Sequence, residues 1–515
     1  MNDRWPRLLV PLRHRDFRLL WTGQTVSSFG NYVHRVALPF QLLALGASPL
    51  QLGIAVAINT ATSVVLLLFG GAIADRLPRR TLIIASDLVG GCVVAVMALL
   101  SWAGALRIEY VYVASIGLGA ADAFLRPSYN AIIAELVPGD ILRAGNAARL
   151  LGRSLARIAG PTVGGLAVAF AGPALAFGID ALTFFFSFAT LVLAKPSLRI
   201  PSSSASLVRD VREGFGYVFS VRWLWTTTLY FMLVNIAYAG QSGVMMPLLV
   251  RDVLGGNAET YGVIISAYGV GTILASVAIA QVAVRRPGML MYTFELLACV
   301  ATLAIGLVPI VPAVVVFMAL TGVGLASSTV IWEALLQRHV PERILGRVSS
   351  IDLLGNSLIN PIGPIVVAAL VGSIGPAGTF VVTGAYALAL ASIGLVASPL
   401  RRTYEAAASL ELRSRPGCEP GPRVLAMTPR ERGGWHHRAA GSAAGRTEAG
   451  GLWDSRDQLR HDRIVVGVER GLAFRRGRAS SKDQVADRGR QRDGGAHAGA
   501  RQPAALIRID FLQCP

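Results

Sequence analysis

Three sets of polar residues recur at helical spacing in an otherwise apolar chain. Asp122, Arg126 and Asn130 stand four apart, as do Arg149, Arg153 and Arg157, while Gln24, Ser28, Asn31 and Arg35 follow at i, i+4, i+7 and i+11. Each set falls on one helix face. Counted from Tyr110 at 1.5 Å per residue, Asp122 lies roughly 18 Å along its helix, deep enough to be far from bulk water. The protonation of a carboxylate so placed is set by competition between burial and a neighbouring guanidinium. Asp122 with Arg126 is therefore the candidate proton-coupling pair, and a permanently paired structural Asp122–Arg126 is the alternative. Gln24, Asn31, Arg35, Asn130, Asn235, Gln241 and Glu333 are candidates to line a substrate cavity, because polar groups at membrane depth face a bundle interior or a water-filled space. Interhelical hydrogen bonding without substrate contact is the other reading of the Gln24 to Arg35 stripe. Asp180 and Glu295 are further ionisable residues inside apolar runs.

Other chemistries find little support. Cys92, Cys299, Cys418 and Cys514 share no metal-ligand or redox spacing. There are no paired metal ligands, no Ser/His/Asp set in context and no Walker-type lysine loop, so an enzyme is not expected, nor any metal or cofactor beyond a coupling proton. The stretch GVGLAS (Gly322 to Ser327) sits inside an apolar run with no strand before it, which rules against a nucleotide loop. Trp223, Trp225 and Tyr230 read as interface anchors and packing.

The elements that must carry these residues follow from composition. The 515-residue chain is 53% hydrophobic and 15% charged, well below the roughly 25% charge of soluble domains. Twelve apolar runs, at 18–45, 51–74, 82–104, 109–134, 145–170, 174–194, 222–249, 258–283, 289–309, 312–335, 348–372 and 377–398, are long enough to cross about 30 Å of hydrocarbon. Unpaired backbone groups are not tolerated in lipid, so all are expected to be helices. Basic connections such as DRLPRR and QRHVPERILGR alternate with nearly uncharged ones such as LGASP and SIGPAG, which places both termini in the cytoplasm. The expected organisation is a cytoplasmic segment 1–17, a six-helix half 18–194, a cytoplasmic linker 195–221 with a short amphipathic surface helix, a second half 222–398, and a basic tail 399–515. The formal charge of +18 divides evenly, +9 in residues 1–400 and +9 in residues 401–515. The tail is rich in Arg, Gly and Ala without apolar periodicity and reads either as a disordered segment or as translation in a shifted frame. Its lysine-poor character matches the rest of the chain, so specific nucleic-acid binding is not expected.

The two halves repeat. VPGDILRAGNAARLLGRSLARIAGP (137–161) and VPERILGRVSSIDLLGNSLINPIGP (340–364) match without a gap at an offset of 203, Gly and Pro included. A repeat in the same orientation six spans apart is the plan of transporters whose substrate sits between two parallel halves. The offset sets Asp352, Asn356 and Asn360 opposite Arg149, Arg153 and Arg157, which suggests an inner gate in which Arg153 and Arg157 meet Asp352 and Asn356; arginines snorkelling to the headgroups are the alternative.

GAIADRLPRR (71–80) resembles the signature between the second and third spans of the major facilitator superfamily, departing from it at Pro78, and AQVAVRRP repeats the basic pair with Gln281 in place of Asp75. FRLLWTGQTVSSFGNYVHRVALPF and DAFLRPSYNAIIAELVP resemble the exporter branch that includes macrolide efflux pumps and enterobactin exporters. The resemblance spans roughly residues 10–400 and implies an all-α integral membrane fold of twelve helices in two six-helix halves. It makes Asp75, Arg76, Arg79 and Arg80 a cytoplasmic gate latch. AGPTVGG (159–165) resembles the span-5 motif of proton-driven exporters, implying that Gly160, Pro161, Gly164 and Gly165 form a helix hinge. The expected function is proton-coupled export of a small organic compound (drug, antibiotic or siderophore-like) by a multi-pass monomer in the cell membrane. An importer or facilitator of the same fold is the alternative.

Overall fold

The computed structural model describes residues 7–74, 77–194, 207–282, 284 and 286–397. All belong to one compact unit, Met1–Arg423. Asp75, Arg76, the Pro/Ser-rich start of the linker and the basic tail lie outside the described residues.

The described chain is helical, and no strand occurs in it. Thirteen α-helices follow in order: α1 (Arg15–Ala44), α2 (Pro49–Ala74), α3 (Arg79–Trp102), α4 (Ile108–Leu136), α5 (Leu142–Leu193), α6 (Leu207–Ser220), α7 (Arg222–Tyr238), α8 (Met246–Asp252), α9 (Ala258–Gln281), α10 (Pro287–Leu307), α11 (Val311–His339), α12 (Glu342–Ile359) and α13 (Ile362–Ala397). Short 3₁₀ segments precede α1 and α5, and a π-helical turn, Gln241–Met245, joins α7 to α8. Among the described residues, nine helical segments are long and apolar enough to cross a membrane. The apolar runs expected from the sequence fall on these helices and on α1, and α6 is the amphipathic helix expected in the linker.

Local chemistry sets the boundaries. Ser48 and Gln51 form a capping box: Ser48 N–H donates to Gln51 Oε1 (2.8 Å) and Gln51 N–H to Ser48 Oγ (3.3 Å), with Pro49 opening α2 where its missing donor costs nothing. Asn257 caps α9 by accepting from Thr260 N–H at 3.1 Å. The continuous α5 is bent at Ala171–Gly172, and α13 at Gly375. Gly172 (φ 75°, ψ 176°) and Gly375 (φ 73°, ψ 169°) adopt nearly the same left-handed conformation, each followed by a proline that starts the next stretch. These positions differ by 203, as do both bounds of α4 and α11. The repeat read in the letters is a repeat in the backbone.

Packing divides the bundle along its length. The end carrying the bends at Gly172 and Gly375 is here called the turn end, and the opposite one, with Arg79, Arg80 and Arg347, the basic end. At the turn end one apolar cluster joins both halves, running from Val33, Val36, Leu52 and Phe177 to Tyr261, Ile264, Val367 and Phe380. At the basic end each half has its own: Phe17, Leu20, Ile83, Ile132 and Leu191 in the first, Leu224, Met291, Trp332, Leu336 and Val348 in the second. The halves are thus fused at one end and separately packed at the other.

The seal at the turn end depends on absent side chains. A Cβ on Gly165 would meet Ala258 O at 2.5 Å, and one on Gly262 would meet Pro161 O at 2.4 Å, so α5 and α9 touch backbone to backbone. On the other side of the bundle, a Cβ on Gly53 of α2 would meet Pro364 O of α13 at 2.6 Å. Small residues permitting such approach are a principal source of helix association in lipid.

Candidate functional site

The first half holds two buried polar centres. In one, Asp87 of α3, fully buried, accepts from Gln24 Nε2 of α1 (3.1 Å) and from Ser187 Oγ of α5 (2.7 Å). Gln24 also donates to Ser187 Oγ at 2.9 Å. Gln24 is therefore committed to an interhelical network and is not free to line a cavity, because the acid that satisfies it comes from a neighbouring helix. Sequence reading passed over Asp87, although a single carboxylate in TLIIASDLVGG was signal enough. Asp87→Ala leaves two buried donors unpaired, and a loss of about 1–3 kcal/mol is expected, seen as a lowered thermal midpoint in detergent; Asp87→Asn should lose less.

In the second centre, Asp180 Oδ2 approaches His34 Nδ1 at 3.2 Å with both side chains almost wholly enclosed. The angles fall short of a hydrogen bond, and neither atom has another partner among the described residues. Asp180 O accepts from Thr183 Oγ1 at 2.7 Å, and the Phe177 ring lies 5.2 Å from the imidazole. Asp122 is within electrostatic range of Asp180. Asp122 itself accepts from Arg126 Nη2 at 3.1 Å, as expected for i, i+4, with 30% of its side chain exposed.

Arginines gather beside these centres. Arg157 donates to Tyr32 Oη (3.3 Å) and to Thr272 Oγ1 of the second half (3.2 Å). The Arg35 guanidinium stands 5.5 Å from the Tyr32 ring centroid. Arg149 donates to Asn130 Oδ1 at 2.9 Å, linking α5 to α4, and Arg153 has Tyr32, Arg126, Arg149 and Arg157 as charged or polar neighbours. Arg35, Arg126 and Arg153 are exposed. The expected spacing thus brings α1, α4 and α5 together in one basic face. Asn31 remains apart, donating to Ser27 O of its own helix.

The second half offers a different wall. Asn235 donates to Asn356 Oδ1 at 2.9 Å, and Asp352 accepts from Thr228 (3.2 Å) and Trp332 Nε1 (3.1 Å). Glu333 is exposed and electrostatically coupled to Asp352. Gln241 is buried in the π-helical turn beside Met318. Trp223 packs edge-on against Trp332 and His339, and Tyr230 against Tyr292, so these aromatics are structural, as the sequence suggested. Glu295 is buried facing Tyr230 and Ser328.

The gate expected from the repeat is not assembled in this conformation. Asp352 and Asn356 take partners in their own half, whereas Arg157 reaches Thr272 instead. The separate packing of the two halves at the basic end accounts for this. Arg79 pairs with Glu135 (2.7 Å), and Arg80 donates to the Leu191 and Val192 carbonyls, all within the first half. Their expected companions Asp75 and Arg76 lie outside the described residues.

At Gly160–Gly165, where a hinge is expected from the sequence, the backbone of α5 stays helical in this conformation, and the non-helical dihedrals fall at Ala171–Gly172. Tyr32, Val33 and Ala258 occupy the space beside Gly160, Gly164 and Gly165 and support the proline turn on both sides. In the other half the helical ladder is interrupted between α12, ending at Ile359, and α13, starting at Ile362, where Pro361 has no N–H to donate, while Asn360 keeps helical φ/ψ.

Known proteins share this arrangement. Residues 7–286 match the family model described as transmembrane secretion effector, and residues 236–425 that of the Major Facilitator Superfamily. The enterobactin exporter EntS of Escherichia coli O1:K1 is 28% identical over 368 residues, 70% of this chain and 86% of the exporter. Among solved structures, a peptide-transporter (POT) family protein in complex with 5-aminolevulinic acid superposes with a TM-score of 0.62 at 15% identity, covering 75% of this chain and 96% of that one. A bacterial homologue of the iron transporter ferroportin in an inward-facing state gives 0.59 at 16% identity, covering 76% and 99%. Two halves joined at one end, buried carboxylates within the helices and a basic face between them are the parts of a secondary transporter: the chain belongs to the transmembrane secretion effectors of the major facilitator superfamily and is a multi-pass membrane transporter of a small molecule.

Proposed function

We propose that the protein exports a small organic compound across the cell membrane in exchange for protons. The observation that carries the reading is the division of packing, one shared apolar cluster at the turn end and two separate ones at the basic end. This is the form of one state in an alternating cycle, with the substrate path open at the basic end. On the positive-inside rule that end is cytoplasmic, as are both termini, and a path open to the cytoplasm loads an exporter. The similarity to the enterobactin exporter favours the same direction.

Proton coupling is assigned to the carboxylates of the first half. Asp122, partly exposed and paired with Arg126, meets the solvent path, and Asp180 with His34 lies enclosed behind it. Protonation at this pair changes its charge and therefore its cost of burial, which biases one state of the cycle as a ligand does. The protein works as a monomer, each molecule containing both halves of the path.

The test is transport in inverted membrane vesicles with an imposed proton gradient. Uptake of an exported compound should rise with an acidic interior and collapse when the gradient is dissipated. Accumulation that ignores the gradient would replace the antiporter with a facilitator.

A further inference from the structure

Five arginines cluster on α1, α4 and α5: Arg35, Arg153 and Arg157 beside Tyr32, and Arg126 and Arg149 beside Arg153. Within this group a single carboxylate, Asp122, is paired with one of them. Measured from the start of α5 at Leu142, the guanidinium-bearing positions 149, 153 and 157 lie about 10, 16 and 22 Å along the helix. Snorkelling to headgroups serves the first and fails the last. Arg35, Arg126 and Arg153 are exposed and Arg157 is half-buried; cations at such depth face water, not lipid, so the space they border is the path between the halves.

The acids of the opposite half do not neutralise them. Asp352 is held by Thr228 and Trp332, and Glu333 lies beside Asp352. Taking uncompensated guanidinium groups into a low-dielectric site is costly unless an anion joins them. When the basic end closes, a mobile anion must therefore enter with the arginines. Guanidinium groups are suited to this because their planar donors match oxyanions two at a time. Arg157, bonded to both Tyr32 of the first half and Thr272 of the second, stands where such a ligand would be felt by both.

We infer that this face, built from Arg35, Arg126, Arg153 and Arg157 around Tyr32, is the substrate site and that it takes an organic anion with at least two oxyanion groups. The inference rests on the transporter reading and narrows its substrate class. Asp122 bears on the site through Arg126, the guanidinium it pairs with: while that pair holds, Asp122 competes with the ligand for Arg126.

Equilibrium binding to the purified full chain in detergent separates this inference from the export reading. The probes are fluorescein as a dianion, calcein as a polyanion and ethidium as a cation, followed by fluorescence anisotropy. Fluorescein and calcein should bind in preference to ethidium, and added salt should weaken them. Arg153→Gln and Arg35→Gln should each weaken anion binding at least tenfold, Arg153→Lys should weaken it less, and Arg107→Gln near the turn end should leave it unchanged. A thermal midpoint equal to that of the parent shows that a variant is folded, and a variant that fails this check is replaced by the lysine one. Preference for ethidium, absence of anion binding, or equal effects of Arg107→Gln and Arg153→Gln would overturn the assignment. Anion binding without gradient-driven movement in vesicles would leave the site standing and remove the export reading; export of cations without anion binding would do the reverse.

Discussion

Asp180→Asn is expected to abolish gradient-driven accumulation in inverted vesicles, at least tenfold, while substrate exchange down its own gradient continues. Asparagine keeps the shape and the acceptor for Thr183 but cannot take up or give back a proton. Asp180 is enclosed by His34 from α1, Thr183 from its own helix and the ring of Phe177, with Asp122 the nearest charged group from α4. Its charge therefore matters to the energy of each state far more than an exposed carboxylate's would. His34→Gln should weaken coupling without ending it, since the acid remains. Unchanged accumulation in Asp180→Asn would exclude the buried pair and return the coupling to Asp122 and Arg126, where Asp122→Asn is the corresponding variant. The two assignments are distinct in what they disturb: loss of Asp122 frees Arg126 and alters substrate binding, whereas loss of Asp180 alters coupling alone.

What could be read in the letters depended on which constraint wrote them. Lipid forces every spanning segment to satisfy its own backbone, so the runs from residue 18 to 398 were legible as helices without any knowledge of packing. The repeat was legible because Gly and Pro positions are dictated by backbone geometry, and Gly172 and Gly375 carry the same conformation at the same offset. The polar stripes were legible as faces but not as roles. Gln24 and Arg35 share a face of α1, yet Gln24 is spent on Asp87 and Ser187 while Arg35 stands over Tyr32. Periodicity reports which residues point the same way, and the neighbour at each depth comes from another helix. His34 and its partner Asp180 lie 146 positions apart in the chain, with no spacing to join them. The motif at Gly160–Gly165 was legible as a place of close approach, but which helix each glycine faces, α1 or α9, comes only from the packing.

The glycines of that motif divide into two classes, and the division makes the second large expected effect. A Cβ on Gly160 would strike Tyr32 Cβ at 2.4 Å and one on Gly164 would meet Val33 Cα at 2.9 Å, both inside the first half, whereas one on Gly165 would strike Ala258 O of the second half at 2.5 Å. Alanine at 160 therefore strains contacts that persist in every state, and the expected result is lower thermal stability with little change in the cycle. Alanine at 165 strains only the seal at the turn end. Overpacking of this kind costs about 1–3 kcal/mol, and a penalty confined to one state shifts its population by roughly 5- to 150-fold. Gly165→Ala should accordingly open the turn end, with transport slowed by a similar factor and the fold intact. Ser266, which bonds Ile158 O (2.8 Å) and Thr162 across that seam, reports the opening: with the native cysteines removed, Ser266→Cys should react faster with an impermeant maleimide added from the turn side when Gly165→Ala is present. Gly178→Ala, whose Cβ would meet nothing within 4 Å, is the matched control. Equal labelling with and without Gly165→Ala would mean that the α5–α9 seam stays shut throughout transport, and the halves would then have to move about a contact other than the one their glycines make.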